Sequence, residues 1–329
     1  MKIAFYEAAS SFPEFVEAGK GAVAAGQTDG NADVIADGPA VPTPQTSATF
    51  ALNLAQSQQP DAFVFDAAFP SLVSMYPKLH QLAHGNVLTV ENLPFSTPLP
   101  DPLPKGAETF VGVNFTVVGR ETAKAGIEGA ELPASTTGTV LLGNCLHNES
   151  NDQAAAGAVA EIKKQLPKVN IVQFDSSLEQ PKATAAWTSA IAKTRDLVFA
   201  YPNCTTDTNA ILQIKNRGVG GDFPAALYSP SSPQLYQALA DGKFSGGTVQ
   251  NYWAIGYIGT KLAIDAARGK AMPKGWIDVP LTPLDKENAL EIGKTWASPD
   301  EALKAYQAFA DDIVAKAATD AKPLADVFK

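Results

Sequence analysis

Two hydrophobic periods alternate along this chain. Residues Lys2 to Tyr6 form a short apolar run of strand length. From Pro13 onward Phe15, Val16, Gly19, Ala22 and Val23 recur at the spacing of one helix face, with Glu14, Glu17 and Lys20 on the other side. Ser10 or Ser11 supplies an N-cap, and Pro13 is allowed in a first helical turn. The unit then repeats, with strands expected over 32–35, 62–65 and 87–90 and helices over 43–58 and 70–84. Nearly continuous apolar strands separated by helices predict a parallel sheet covered on both faces. Ligands bind beyond the carboxyl ends of strands in such sheets, which directs attention to the 7–13 loop.

Residues 91–105 carry five prolines and read as a loop with extended pieces. A strand at 109–113 and a helix at 116–130 lead to a second series. Its strands are expected at 139–142, 169–174, 197–200 and 225–228, and its helices at 149–165, 183–193, 206–217 and 233–240. Two similar halves predict two lobes. A strand at 246–250, a long helix at 253–268 rich in small apolar residues and a strand at 277–281 follow. The tail reads as an amphipathic helix at 299–318, with Leu303, Tyr306, Phe309, Ile313 and Val314 on one side and Asp311 and Asp312 on a solvated surface.

A chain of 329 residues, 45% of them hydrophobic, buries a large core, and its length favours two domains. The net charge of -9 with no Lys or Arg cluster excludes a nucleic-acid partner. No apolar run reaches the roughly 18 to 20 residues of a membrane span. No glycine-rich phosphate motif occurs, so no nucleotide or other cofactor is expected. His80 and His84 have the i, i+4 spacing of a metal pair on one helix face, but a solvated face is the expectation. Trp187 is expected to pack on its lobe, while Tyr252 and Trp253 read equally as packing or as ligand contacts. Cys145 and Cys204 each follow a strand of the second half. The first and third strands of a doubly wound lobe are neighbours, so a disulfide is expected, with two buried thiols as the alternative.

The order of elements and several loop residues resemble the type I periplasmic solute-binding proteins of ABC transporters, in particular the ribose-binding-like sugar binders. The resemblance rests on Phe12-Pro13-Glu14-Phe15, Gln59-Pro60-Asp61-Ala62, Phe110-Val111-Gly112, Val198-Phe199-Ala200 leading to Asn203, Asp241-Gly242-Lys243, and Gln250. It implies two doubly wound α/β lobes joined by a three-crossover hinge. On this basis the first lobe is 1–113 plus 251–276, and the second is 114–250 plus 277–329 with the extra tail. It also implies a small polar solute bound in the cleft with hinge closure, and delivery to a membrane permease. Phe12 and Phe15 match the aromatic region that packs on the ligand, and Glu91 and Asn92 stand where many sugar binders have an Asp-Arg pair. Asn203 matches a ligand-contacting asparagine, Gln250 a hinge-side glutamine, and Ser229 a position that usually holds aspartate. The arginine expected near the start of the second lobe's first helix has no counterpart, since Asn148, Asn151, Asp152 and Gln153 fill that region.

A site without those cations does not suit a carboxylate or phosphate. The expected ligand is therefore a neutral sugar or sugar alcohol, held by Phe12, Phe15, Glu91, Asn92, Asn151, Asn203, Ser229 and Gln250. Hydroxyl-rich solutes have apolar C–H faces and polar edges, which such a residue set matches. The protein is expected to be an exported monomer, periplasmic or at the cell surface, with its leader absent from this sequence, and to do no chemistry. The alternative is a Cys-dependent hydrolase or amidotransferase-like enzyme, in which Cys145 follows a strand and His147 acts as base. It lacks a carboxylate clearly placed to orient His147. A third class, a repressor-type effector-binding domain, lacks its DNA-binding headpiece.

Overall fold

The apolar runs pair as parallel strands in the order their turns dictate. The computed structural model describes residues 1–96 and 98–329, so position 97 of the proline-rich loop lies outside the described residues. The chain opens with β1 (Lys2–Tyr6), α1 (Pro13–Asp29), β2 (Asp33–Asp37), α2 (Pro44–Gln58) and β3 (Ala62–Phe65). A 3₁₀ turn (Pro70–Met75), α3 (Tyr76–Leu82), β4 (Val87–Val90) and β5 (Thr109–Gly112) follow. The strands lie side by side as β5-β4-β3-β1-β2, all parallel. Alternate residues Ala4, Tyr6, Phe63 and Phe65 pack with Leu54, Leu72, Tyr76 and Leu79 on one face. Burial on both faces explains why these strands read as unbroken apolar runs.

The helix expected over 70–84 is two pieces, because Pro77 has no N–H for a continuous ladder. It ends at Leu82, and His84 adopts a left-handed φ of 52°, so His80 and His84 do not share a helix face.

The second unit contains α4 (Phe115–Gly129), β6 (Gly138–Asn144), α5 (Glu149–Gln165), β7 (Val169–Asp175), α6 (Gln180–Lys193) and β8 (Leu197–Pro202). It continues through α7 (Thr205–Asn216), β9 (Ala226–Tyr228), α8 (Pro233–Ala240) and β10 (Gly246–Val249). Strands β7, β6 and β8 form one parallel set. A parallel bridge from Ala200 to Ala225 joins that set to β9 and β10.

Next come α9 (Tyr252–Ala267), β11 (Gly275–Asp278), β12 (Thr282–Leu284), α10 (Ala289–Gly293) and α11 (Pro299–Asp320). Here the structure departs from the expected division. β11 pairs in parallel with β5 as the sixth strand of the first sheet, whereas 277–281 was expected to open the second lobe's last segment. Unit 1 comprises Met1–Asn114, Asn251–Pro280 and Ser298–Lys329, and unit 2 comprises Phe115–Gln250 and Leu281–Ala297. The tail thus belongs with the first unit, and a fourth passage of the chain follows the three expected ones.

Contacts explain both placements. β12 runs antiparallel to β10, Leu284 and Ala289 enter the second core, and Trp296 Nε1 donates to Tyr236 Oη at 3.0 Å. Tyr306 of α11 stacks on Trp253 of α9 with ring centroids 5.9 Å apart, and Tyr257 Oη donates to Asp311 at 3.1 Å. Asp311 is therefore not simply solvated. Beyond α11, Lys322 and Trp276 exchange backbone hydrogen bonds at 2.8 Å, and Leu324 and Val327 enter the first core. That exchange covers the β11 edge, a row of groups otherwise open to strand addition.

Each unit also contains a helix pair in near main-chain contact. A Cβ at Gly21 of α1 would overlap the Trp253 carbonyl oxygen, and one at Gly256 of α9 would overlap that of Ala18. Gly119 of α4 and Gly157 of α5 meet the carbonyl oxygens of Ala154 and Thr116 in the same way. This corrects the expected buried face of α1. Ala18, Gly21, Ala22 and Ala25 are buried together with Glu14 and Glu17, while Phe15, Val16 and Val23 are only half-buried.

Candidate functional site

In the first unit the register sets Tyr6 beside Phe65 and Phe65 beside Thr89. The chain therefore leaves the carboxyl ends of β1, β3 and β4 with Glu7, Asp66 and Glu91 close together. Glu91 and Asp66 are each 1% exposed and Glu7 is 6% exposed. Glu14, in the first turn of α1, is buried as well. Gly19 of α1 leaves room for the Glu7 carboxylate, since a Cβ there would overlap Glu7 Oε1. Glu91 takes a left-handed φ of 58°, uncommon for a non-glycine residue, and Asn92 Nδ2 donates to Asp66 Oδ1 at 2.9 Å. Neither Glu91 oxygen nor Asp66 Oδ2 accepts a hydrogen bond from a fixed donor among the described residues. Phe12 and Phe15 stand half-buried at the start of α1, ring centroids 6.2 Å apart.

Burial dominates the electrostatics of this group. Desolvation and then the neighbouring Asp37 push Glu7 up to about 7 from an ordinary 4.5. Desolvation raises Asp66, and raises Glu91 further because Asp66, Glu14 and Glu7 all act on it with the same sign. Buried together and of one sign, the two carboxyls do not both ionise.

Stability should follow these protons. Below the ordinary carboxylate range both folded and unfolded chains hold them; between about pH 4 and 7 the unfolded chain releases them first, so the folded state loses ground. We expect the ligand-free protein to be more stable at pH 5 than at pH 8, with Glu7 alone contributing on the order of 3 kcal/mol. Denaturant midpoints across that range test this, and a midpoint that rises with pH would refute it.

The second unit groups side-chain amides at its own strand ends. Asn203, fully buried after β8, donates through Nδ2 to the Asn151 carbonyl at 2.7 Å and to Asn144 Oδ1 at 3.3 Å. Its Oδ1 has no hydrogen-bond partner among the described residues. Asn148 caps α5 by accepting from the Asn151 N–H at 2.9 Å, which holds that carbonyl in place. Ser229, buried with a φ of 47°, follows β9, and its carbonyl accepts from Thr205 Oγ1 at 3.3 Å. Gln250, also buried, follows β10.

Cys145 and Cys204 form a disulfide, as the adjacency of β6 and β8 allows, with Cα atoms 6.3 Å apart. The bridge removes the nucleophile of the cysteine-enzyme alternative. His147 does have carboxylate partners, contrary to the sequence reading: Nδ1 meets Asp152 at 3.0 Å and Nε2 meets Asp175 at 2.9 Å. Asp175 and then Asp152 raise its pKa. Trp187 is core, donating to the buried Asp207 at 2.7 Å, and Trp253 is core in the first unit.

The structure thus groups Glu91 and Asn92 in one unit and Asn151 and Asn203 in the other. Sequence reasoning missed Glu7, Asp66 and Asn144. The available signal was position alone, since Glu7 and Asp66 are the first residues past an apolar strand and Asn144 is the last of one.

The family model of a periplasmic binding protein domain matches residues 3–271. The chain belongs to this family. No curated protein sequence matches it. This periplasmic binding protein is similar in fold to an ABC transporter solute binding protein of Agrobacterium vitis with bound D-fucose, at 20% identity and a TM-score of 0.77, covering 89% of this chain and 99% of that one. A second Agrobacterium vitis solute binding protein, bound with alpha-D-tagatopyranose, matches at 19% identity and a TM-score of 0.75, over 88% and 95% of the two chains. One from Mycobacterium smegmatis with bound glycerol matches at 19% identity and a TM-score of 0.71, over the same shares. The expected α/β class of the periplasmic binding protein type I fold holds for this family member.

Proposed function

We propose that this periplasmic binding protein is the solute-binding component of an ABC importer and captures a sugar or sugar alcohol for a membrane permease. The observation that carries the reading is the set of buried, donor- or acceptor-lacking polar atoms at strand ends, Glu91 and Asp66 in one unit and Asn203 Oδ1 in the other. A buried polar atom left unpaired costs about 1 to 3 kcal/mol, which a ligand hydroxyl or amine would recover. Family membership over residues 3–271 supports the transport role, and the sugars and glycerol in solved relatives support the ligand class. Phe12 and Phe15 are the aromatic rings proposed to meet the ligand's C–H face. The reading includes an exported monomer without catalytic activity. The disulfide supports an oxidising compartment.

A thermal-shift screen against sugars, sugar alcohols, amino acids and nucleosides, with mass spectrometry for co-purified ligand, tests the class. Ligand at about 100 times its dissociation constant stabilises by roughly 2.7 kcal/mol, several degrees in midpoint. Asn203→Ala should then weaken binding of the active compound tenfold or more, on the order of 1.4 kcal/mol, with folding retained. Unchanged affinity by calorimetry would remove Asn203 from the site.

A further inference from the structure

We propose that the solute carries a protonated amine, as in an amino sugar or amino alcohol, and that its ammonium sits on Asp66 and Glu91. The proposal deepens the solute-binding reading and rests on it. The carboxyl ends of three adjacent strands bring Glu7, Asp66 and Glu91 together, and Glu14 acts on Glu91 with the same sign. None of Glu7, Asp66 and Glu91 forms an ion pair among the described residues. Asn92, which holds Asp66 Oδ1, brings an N–H donor without a charge.

Three acceptor atoms remain open in the nearly inaccessible Asp66–Glu91 pair, namely Asp66 Oδ2 and both Glu91 oxygens. An ammonium has three N–H donors and one positive charge. It can satisfy all three acceptors and offset the repulsion that otherwise keeps a proton in the pair. A neutral hydroxyl donates one hydrogen bond and leaves the charge unanswered. The missing cations speak against an anionic solute, and the buried acids extend that argument to favour a cation over a neutral one.

The test is titration calorimetry on the full chain at pH 7 with matched pairs: D-glucose and D-glucosamine, D-galactose and D-galactosamine, sorbitol and D-glucamine. We expect the amine member of one pair to bind at least tenfold tighter than its neutral partner. Binding should also release protons, seen as a dependence of the heat on buffer ionisation enthalpy, because the ammonium drives a proton off the pair. Glu91→Gln, which removes a buried acid and should fold at least as well at pH 8, is expected to abolish the amine preference. Equal affinity within every pair, or preference for the neutral member, overturns the ammonium and leaves the sugar-binding reading standing. Failure of every compound to bind the folded protein sinks both.

Discussion

Replacing Cys145 and Cys204 together by serine is expected to destabilise the second unit by about 4 kcal/mol. The bridge closes a loop over a sequence separation of 59 residues, and the chain entropy it removes from the unfolded state has about that value. For a domain of about 150 residues each kcal/mol shifts the midpoint by about 2 to 4 °C, so the loss corresponds to roughly 8 to 16 °C. Scanning calorimetry of the variant, and of the wild type with reductant, measures it. The first unit's transition should stay in place. A second-unit transition that moves by less than a couple of degrees would mean the bridge constrains little. The same variant should weaken ligand binding, because the bridge lies directly beside Asn144 and joins Asn203's neighbour to the carboxyl end of the adjacent strand β6.

The second large effect is expected at Gly21, where substitution by valine should cost at least 3 kcal/mol or prevent soluble expression. Added core volume ordinarily costs about 1 to 3 kcal/mol because side chains give way. At Gly21 the obstructing atom is the Trp253 main-chain carbonyl, which moves only if α9 moves. Gly21→Ala makes the sharper comparison, since alanine is intrinsically favoured over glycine inside a helix by about 1 kcal/mol and would stabilise an open site. Gly30→Ala serves as control: its φ of 78° carries a strain of roughly 1 to 2 kcal/mol, and nothing lies within 4 Å of the added methyl. Chemical denaturation should rank Gly21→Ala as more damaging than Gly30→Ala. The reverse order would show that the helix pair adjusts.

Much of this architecture is legible in the sequence, because strands buried on both faces declare themselves as apolar runs. Strands 62–65 and 87–90 have the expected limits, as do helices 149–165 and 233–240. The destination of the tail is not legible: an amphipathic helix records that one side is covered, not by what. β12 has three residues, one of them Pro283, and α10 has five, too few for either period to register. In α1 the large residues suggested one buried face, while the closest packing uses the small ones, whose hydrophobicity is weak and whose value lies in close approach.

The candidate site divides in the same way. Asn203, Glu91 and Asn92 stand out at strand ends, and the adjacency of β6 and β8 makes the disulfide readable. Glu7 and Asp66 look like ordinary turn acids until the sheet order places them beside Glu91 and closes off water. The His147 partner Asp175 is 28 residues away, and only the pairing of β6 with β7 brings it within reach.

The return of the last helix to the first unit also sets an order of assembly. During synthesis from the amino end, residues 115–250 emerge as a nearly complete second sheet, needing only β12 and α10 to finish. The first unit waits longer. Its β5 edge stays open until β11 arrives, and β11 in turn is sealed by Lys322, so strands made first depend on residues made last. Contacts of such long sequence separation form slowly, and an unsealed strand edge invites pairing with another chain in the interval. A nascent chain of this protein therefore keeps the β5 edge of its first unit open until its last residues are made, and that edge is the one a holding chaperone would need to shield.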